Sequence, residues 1–329
     1  MNSLAVAADD DQRRVDQLLR KAFRDVPPGA LARAVRMGDV RINGKRCSND
    51  SRVSQGDIVT VPLWHRRQAP PRIERVQIRD GAIHLPNRLV VPILSRDADI
   101  LALNKPAGIA THGPRELDEV VRAAARQEQW CEESVSFRPG PVHRLDRGTS
   151  GVQLFALSRG GAQLVTEQIT ARKSCKFYIA IVTGRVRTTV MVDTPMTYNR
   201  EKQRAEVPGA TTARTRIFPL ATAGSGAVSL VGVYPETGRR HQIRAHCAHI
   251  GHPLVGDHTY GSTEAHAFFL HALVLSFPAL EMRWHAPLNK EQFREFRQLF
   301  GDAAPIRQRI VETINALCPG AVNPGIFSL

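Results

Sequence analysis

PVHRLDRGTSGVQLFALS, residues 141–158, sets a carboxylate between two arginines and then runs straight into an apolar strand. Asp146 lies between Arg144 and Arg147, and the small residues Gly148-Thr149-Ser150-Gly151 form a turn before the strand. A carboxylate on a loop at the mouth of a strand is well placed for nucleophilic or acid–base work. Adjacent guanidinium groups favour its ionised form. The competing reading is a plain surface ion pair. Outward from this stretch, further short β-type runs follow one another: VVPIL, DILALN, KFYIAIVTG, TRIFPL, AVSLVGVYP and FFLHALVLSF. Helical patterns interrupt them at 116–129, 159–171, 241–250 and 289–300. Strand runs with helices between them predict an α+β domain over residues 76–329, built on a mostly antiparallel mixed sheet.

The first 64 residues read differently. In QRRVDQLLRKAFR the apolar positions Val15, Leu18, Leu19, Ala22 and Phe23 define one helix face. PPGALARAVRMGD gives a second helix, with Pro28 in its first turn and Gly38 at its end. Asn43-Gly44 in VRINGKRC marks a hairpin, and DIVTVPL adds a strand. Residues 1–64 are therefore expected as a small α/β module and 65–75, rich in Pro and Arg, as a linker. Residues 1–75 carry 15 Lys and Arg against 9 Asp and Glu, the denser share of a net charge of +14. The pattern resembles the alpha-L RNA-binding domain, and Arg36, Lys45 and Arg46 are its expected RNA contacts. A solvated basic cap is the alternative.

A net charge of this sign attracts polyanions, with nucleic acid ahead of an anionic membrane surface. The five cysteines, Cys47, Cys131, Cys175, Cys247 and Cys318, are odd in number and widely spaced. They are expected to be reduced and mostly buried rather than paired in a disulfide framework or a zinc site. No run approaches the roughly 20 apolar residues of a membrane span, and MNSLAVAADDDQ lacks the apolar core of a signal peptide. A cytoplasmic monomer without membrane association is expected.

HRLDRGTSG resembles the HRLDRDTSG signature of the RluA-type pseudouridine synthases. Four further motifs occur in the family's order: NKPAGIATHG at 104–113, KFYIAIVTG at 176–184, TGRRHQIRAHCAHIGHPLVGDHTYG at 237–261, and FLHA at 269–272 with APL at 286–288. The resemblance covers nearly the whole chain. It implies that Asp146 is the indispensable catalytic aspartate, that Tyr178 lies against the target base, and that Arg244 ion-pairs with Asp146. Arg144 and Arg240 would contact RNA beside the site. Two positions depart from the usual form. Gly148 replaces an acidic residue, and Arg240 replaces the common Thr of GRTHQIR.

The implied reaction breaks the N-glycosidic bond of uridine, turns the uracil and joins its carbon 5 to the ribose. That chemistry needs no redox step, phosphate energy or metal, so no cofactor is expected. GxxxxGKS, GxGxxG and HExxH are all missing from the sequence. The target base must leave its stack for an enclosed pocket, which an aromatic wall such as Tyr178 serves. Tyr178 as an ordinary core tyrosine is the competing reading. His246, His249 and His252 recur at spacings of three, which suggests zinc, although RNA contact and helix packing fit better. A non-catalytic RNA-binding or ribosome-assembly protein on the same scaffold is the alternative function. A degenerate relative of that kind is expected to lose one of Asp146, Tyr178 and Arg244. Large-subunit ribosomal RNA is the favoured target, with transfer RNA the second.

Overall fold

The computed structural model describes residues 2–64, 73, 75–85, 89–132, 134–135, 137–263 and 267–322. The expected linker, 65–75, lies outside the described residues apart from Ile73 and Arg75. At the N-terminus, β1 (Asn2–Ala5), α1 (Val15–Ala22), α2 (Pro28–Met37), β2 (Arg41–Ile42), β3 (Lys45–Arg46) and β4 (Ile58–Val61) follow in order. The strands pair as β1-β4-β2-β3. Asn43 and Gly44 both take positive φ, 49° and 77°, as a tight hairpin turn requires. Gly38 ends α2 in the left-handed region, where its N–H reaches Ala34 O and Val35 O. Val15, Leu18, Leu19, Leu31, Val35, Val59 and Val61 form the core beneath. Buried Asp10 ties this unit to the rest of the molecule. Its carboxylate accepts from Val135 N at 2.9 Å and from Ser134 Oγ at 3.2 Å.

The remaining strands are β5 (Gln77–Arg79), β6 (Ala82–His84), β7 (Val90–Arg96), β8 (Ile100–Lys105), β9 (Gly140–Pro141), β10 (Ser150–Ala156), β11 (Cys175–Thr183) and β12 (Val190–Asp193). They continue as β13 (Met196–Asn199), β14 (Arg204–Thr211), β15 (Arg214–Thr222), β16 (Val228–Pro235), β17 (Leu270–Phe277) and β18 (Met282–His285). Helices α3 (Leu117–Gln127), α4 (Arg159–Thr170), α5 (Gln242–His249), α6 (Lys290–Phe300) and α7 (Ala303–Leu317) pack around them. The large sheet runs β12-β15-β16-β11-β17-β10-β8-β7-β6-β5, with β18 on β17 and β9 on β10, while β13 and β14 form a separate hairpin. Among the described residues, β10 against β17 is the parallel pair in an otherwise antiparallel array. The fold is therefore α+β on a mostly antiparallel mixed sheet.

The period-2 alternation of β11 divides two cores. Cys175, Phe177, Ile179 and Ile181 face Phe296 of α6 and Ile306, Ile310 and Ile314 of α7. Tyr178, Ala180 and Val182 face Ile243 and Cys247 of α5. A register shift between Phe177 and Tyr178, on the β17 side, re-aims the strand at that point.

The cysteines correct the sequence reading. Cys175 and Cys318 form a disulfide across 143 positions. Spacing carried no hint of it, because α7 brings Cys318 onto β11 through packing rather than through any local motif. Cys247 is buried, and Cys47 and Cys131 are half-buried.

Candidate active site

The signature loop is held by the NKPAGIATHG segment. Thr111 Oγ1 accepts Leu145 N–H at 3.1 Å and lies 3.0 Å from Leu145 O, so the residue before Asp146 is gripped on both backbone groups. Gly108 N donates to Arg147 O at 2.8 Å on the other side. Lys105, fully buried, donates from Nζ to Ile109 O at 2.7 Å, Pro106 O at 3.0 Å and Arg147 O at 3.3 Å. Burial pulls its amine down to about 7 against the opposing charge of Asp146. Arg147 turns away from the site and pairs with Glu116. Both sides of Asp146 are thus pinned by backbone contacts, and its side chain remains 18% exposed.

Asp146 opens into a cleft of about 690 Å3 whose lining includes Tyr178, Lys176, Arg144, Arg240, His241 and Arg244. Tyr178 projects from β11, where its own register pairs it with Val233 and Ala272. Burial and then the Asp146 charge push its phenol upward, so the hydroxyl keeps its proton at neutral pH. Burial also lowers Lys176.

Arg244 corrects the expected pairing in part. Its Nη1 lies 3.9 Å from Asp146 Oδ2, an ion pair at the long limit. Its fork grips a different carboxylate. Nε donates to Asp257 Oδ2 at 2.6 Å and Nη2 to Asp257 Oδ1 at 2.8 Å, a buried bidentate bond. Burial works against the charge on Arg244, yet the Asp257 hydrogen bonds and both carboxylates outweigh it and raise its affinity for the proton. Asp257 anchors the guanidinium, and the third nitrogen is left facing Asp146. The planar fork makes this division possible, since a carboxylate takes two of its edges and leaves one.

His241 enters α5 with a positive φ of 58° and places Nε2 4.0 Å from Asp146 Oδ2. Tyr260 Oη accepts Ala205 N–H at 2.7 Å and lies 3.2 Å from His241 Nδ1. With the phenol donating to Nδ1, the imidazole carries its proton on Nε2, toward Asp146. Burial lowers His241 to about 4, so the ring is neutral at physiological pH. Tyr198 of the β13–β14 hairpin meets the same ring edge-on and lies under the Arg240 guanidinium, 4.1 Å from its centroid.

The remaining expected site residues fall in two places. Arg144 and Arg240 border the cleft of Asp146. Arg36 and Arg46 line a second hollow of about 400 Å3 on the N-terminal unit, and Lys45 is exposed on β3 nearby. Two of the histidines that suggested zinc, His246 and His252, have other partners. His246 bonds Thr215 Oγ1 and Thr194 O, and His252 bonds Thr183 O. Asp257, His241, Tyr260 and Lys105 are the site residues that sequence reasoning left without a role. Each stands inside one of the family motifs, but a motif match alone does not say which side chain meets which.

Comparison with known proteins gives the chain's relatives. Residues 99–249 match the RNA pseudouridylate synthase family. The ribosomal large subunit pseudouridine synthase C of Vibrio vulnificus is 32% identical over 313 residues, covering 87% of this chain and 93% of that protein. Its Escherichia coli namesake is 32% identical over 318 residues, covering 87% and 93%. Among solved structures, Human RNA Pseudouridylate Synthase Domain Containing 1 shares the fold with a TM-score of 0.55 at 22% identity, over 69% of this chain and 95% of that one. Matched at this identity over most of its length, the chain belongs to the RNA pseudouridylate synthase family.

Proposed function

We propose that this protein isomerises uridine to pseudouridine in large-subunit ribosomal RNA, with Asp146 as the catalytic carboxylate. The observation that carries the reading is the meeting of Asp146, Tyr178 and Arg244 at one basic cleft, with Arg244 aimed by Asp257. The names of the relatives support the choice of ribosomal RNA. Arg144, Arg240 and Lys176 at the cleft supply phosphate contacts, and residues 1–64 act as an RNA-binding module through Arg36, Lys45 and Arg46.

In the reaction the N1–C1′ bond breaks and a C5–C1′ bond forms, C5 loses its proton and N1 gains one. Asp146 acts on the sugar or base as a nucleophile, or stabilises positive charge on the ribose as the bond breaks. Arg244 and the neutral His241 hold that carboxylate aimed. Tyr178, kept protonated, serves as an aromatic wall and hydrogen-bond donor to the turning uracil. Enclosure keeps water from capturing the ribose while the base is detached.

The test is Asp146→Asn. The amide keeps the shape and removes the charge. Pseudouridine mapping of large-subunit ribosomal RNA should show a site that wild-type protein modifies and the variant leaves as uridine, with RNA binding retained. Turnover by the purified variant near the wild-type rate would overturn the assignment.

A further inference from the structure

We propose that Phe268 is a positioning residue that holds the Arg244 guanidinium toward Asp146, and that Gly148 is the opening in the signature loop that admits its ring. The inference rests on the reading of Asp146 and Arg244 as the reacting pair.

The parallel pairing of β10 and β17 creates the contact. Ser150 stands opposite His271 and Gly151 opposite Ala272. A Cβ on Gly151 would lie 2.2 Å from Ala272 O, so the two strands are locked in close approach there. The segments leading into them, one carrying Asp146 and the other Phe268, must then run side by side. A Cβ on Gly148 would fall 2.6 Å from Phe268 Cζ and 2.8 Å from its Cε1. A side chain at 148 and the ring at 268 therefore compete for one volume. This accounts for the departure at 148, where the family signature usually carries an acidic residue.

The ring that takes this space lies against the catalytic arginine. Arg244 Cζ is 4.7 Å from the Phe268 centroid and 5.1 Å from that of Tyr260. Asp257 takes two nitrogens at the edge of the guanidinium and fixes its in-plane direction. A bidentate bond still lets the plane tilt about the carboxylate, and tilt moves Nη1 on and off Asp146. Aromatic contact with the cation opposes that tilt. Phe268 is half-buried, in contact with the α5 core, and can hold this position without closing the cleft.

The test uses the full-length protein and a large-subunit ribosomal RNA transcript labelled with tritium at uridine carbon 5, whose release reports loss of that hydrogen. Phe268→Ala should lower kcat by about 10–100-fold, the scale of a misplaced catalytic group, with KM within about 3-fold. Phe268→Tyr should stay near wild type, whereas Phe268→Leu, which keeps bulk and loses the aromatic face, should fall with the alanine variant. Gly148→Ala should also lower kcat. The double variant should be no worse than either single one, since both remove the same ring from the same place. Wild-type kcat in Phe268→Leu would reduce the residue to packing and overturn the proposal. A loss in Phe268→Ala that falls on KM with kcat unchanged would do the same. Asp146→Asn, measured beside them, separates the two levels. If it is active the underlying assignment fails, and if it is inactive while Phe268→Ala is normal, only this inference fails.

Discussion

The groups around Arg244 each control a different freedom of its guanidinium: Asp257 its direction, Phe268 and Tyr260 its tilt, and Asp146 the outcome. This division predicts the effects of single substitutions. Asp257→Asn keeps one acceptor oxygen but removes the paired charge, leaving Asp146 at 3.9 Å as the carboxylate facing this buried cation. Losing one partner of a fully buried pair costs about 3–5 kcal/mol, and the remaining carboxylate should hold the loss toward the lower end. Urea denaturation should show that loss, and single-turnover assays should show activity falling with it. Arg244→Lys keeps the charge and loses the fork, so it should lose far more activity than stability. Near wild-type activity in the lysine variant would mean that charge alone matters. That Asp146, Tyr178 and Arg244 would share one cleft could be read from the sequence, because each sits at a motif position that the resemblance placed at the site. Asp257 could not, because 13 positions separate it from Arg244 and a lone acid among histidines looks like nothing in particular. Only the side-chain geometry shows which carboxylate an arginine prefers.

The elements meet through a small polar network that joins the signature segment, the FLHA and APL segments and α6. Ser150 Oγ donates to His271 Nδ1 at 2.8 Å and accepts from Gln292 Nε2 at 2.8 Å, while His271 Nε2 donates to Ala286 O at 2.8 Å. Gln292 also completes the capping box of α6 with Asn289, so one side chain closes a helix and grips the strand that leaves Asp146. His271→Ala should leave Ser150 half-satisfied and open a cavity, costing about 2–4 kcal/mol in denaturant unfolding. A loss below about 1 kcal/mol would mean that water replaces the ring. Strands with strong alternation, such as Phe177–Val182 in β11, could be read directly from the sequence. Strand β1 is too short to show a period, and the polar β13–β14 hairpin has its packing partners in α5 and Tyr260 rather than in its own pattern. Helix α7 did carry a signal, with Ile306, Ile310 and Ile314 four apart, and its N-cap Asp302 accepts from Ala304 N. The N-terminal unit should behave as a separable arm. Deleting residues 1–70 should leave the large sheet folded and reduce the salt dependence of RNA binding, by roughly 0.7–0.9 in slope for each phosphate that the arm neutralises. An unchanged slope would show that Arg36, Lys45 and Arg46 do not touch RNA.

Across the whole molecule, acid and reduction probe different reserves of stability. Burial holds His143 at about 3 and His241 and His271 at about 4, below the ordinary histidine value near 6.5. Between about pH 6.5 and 4 the unfolded chain binds protons at these positions and the folded chain does not. Stability is therefore fully present above about 6.5 and declines as pH falls through that window. Denaturation from pH 7 to 4.5 should show a slope approaching three protons, and His271→Ala should remove one of them. The disulfide acts on the unfolded chain instead. Linking Cys175 to Cys318 closes a loop of 143 positions, for which chain entropy alone predicts about 5 kcal/mol and engineered bonds commonly deliver about 2–4. Its location decides what reduction does to catalysis. Cys175 shares the face of β11 with Phe177 and Ile179, toward α6 and α7, whereas Tyr178 points to the opposite face and the cleft. Reduction, or Cys318→Ser, should therefore lower the thermal midpoint by several degrees while kcat at 25 °C stays within about 2-fold. A large loss of kcat in protein that is still folded would mean that α7, through this bond, sets the position of Tyr178, and that the two faces of β11 are coupled.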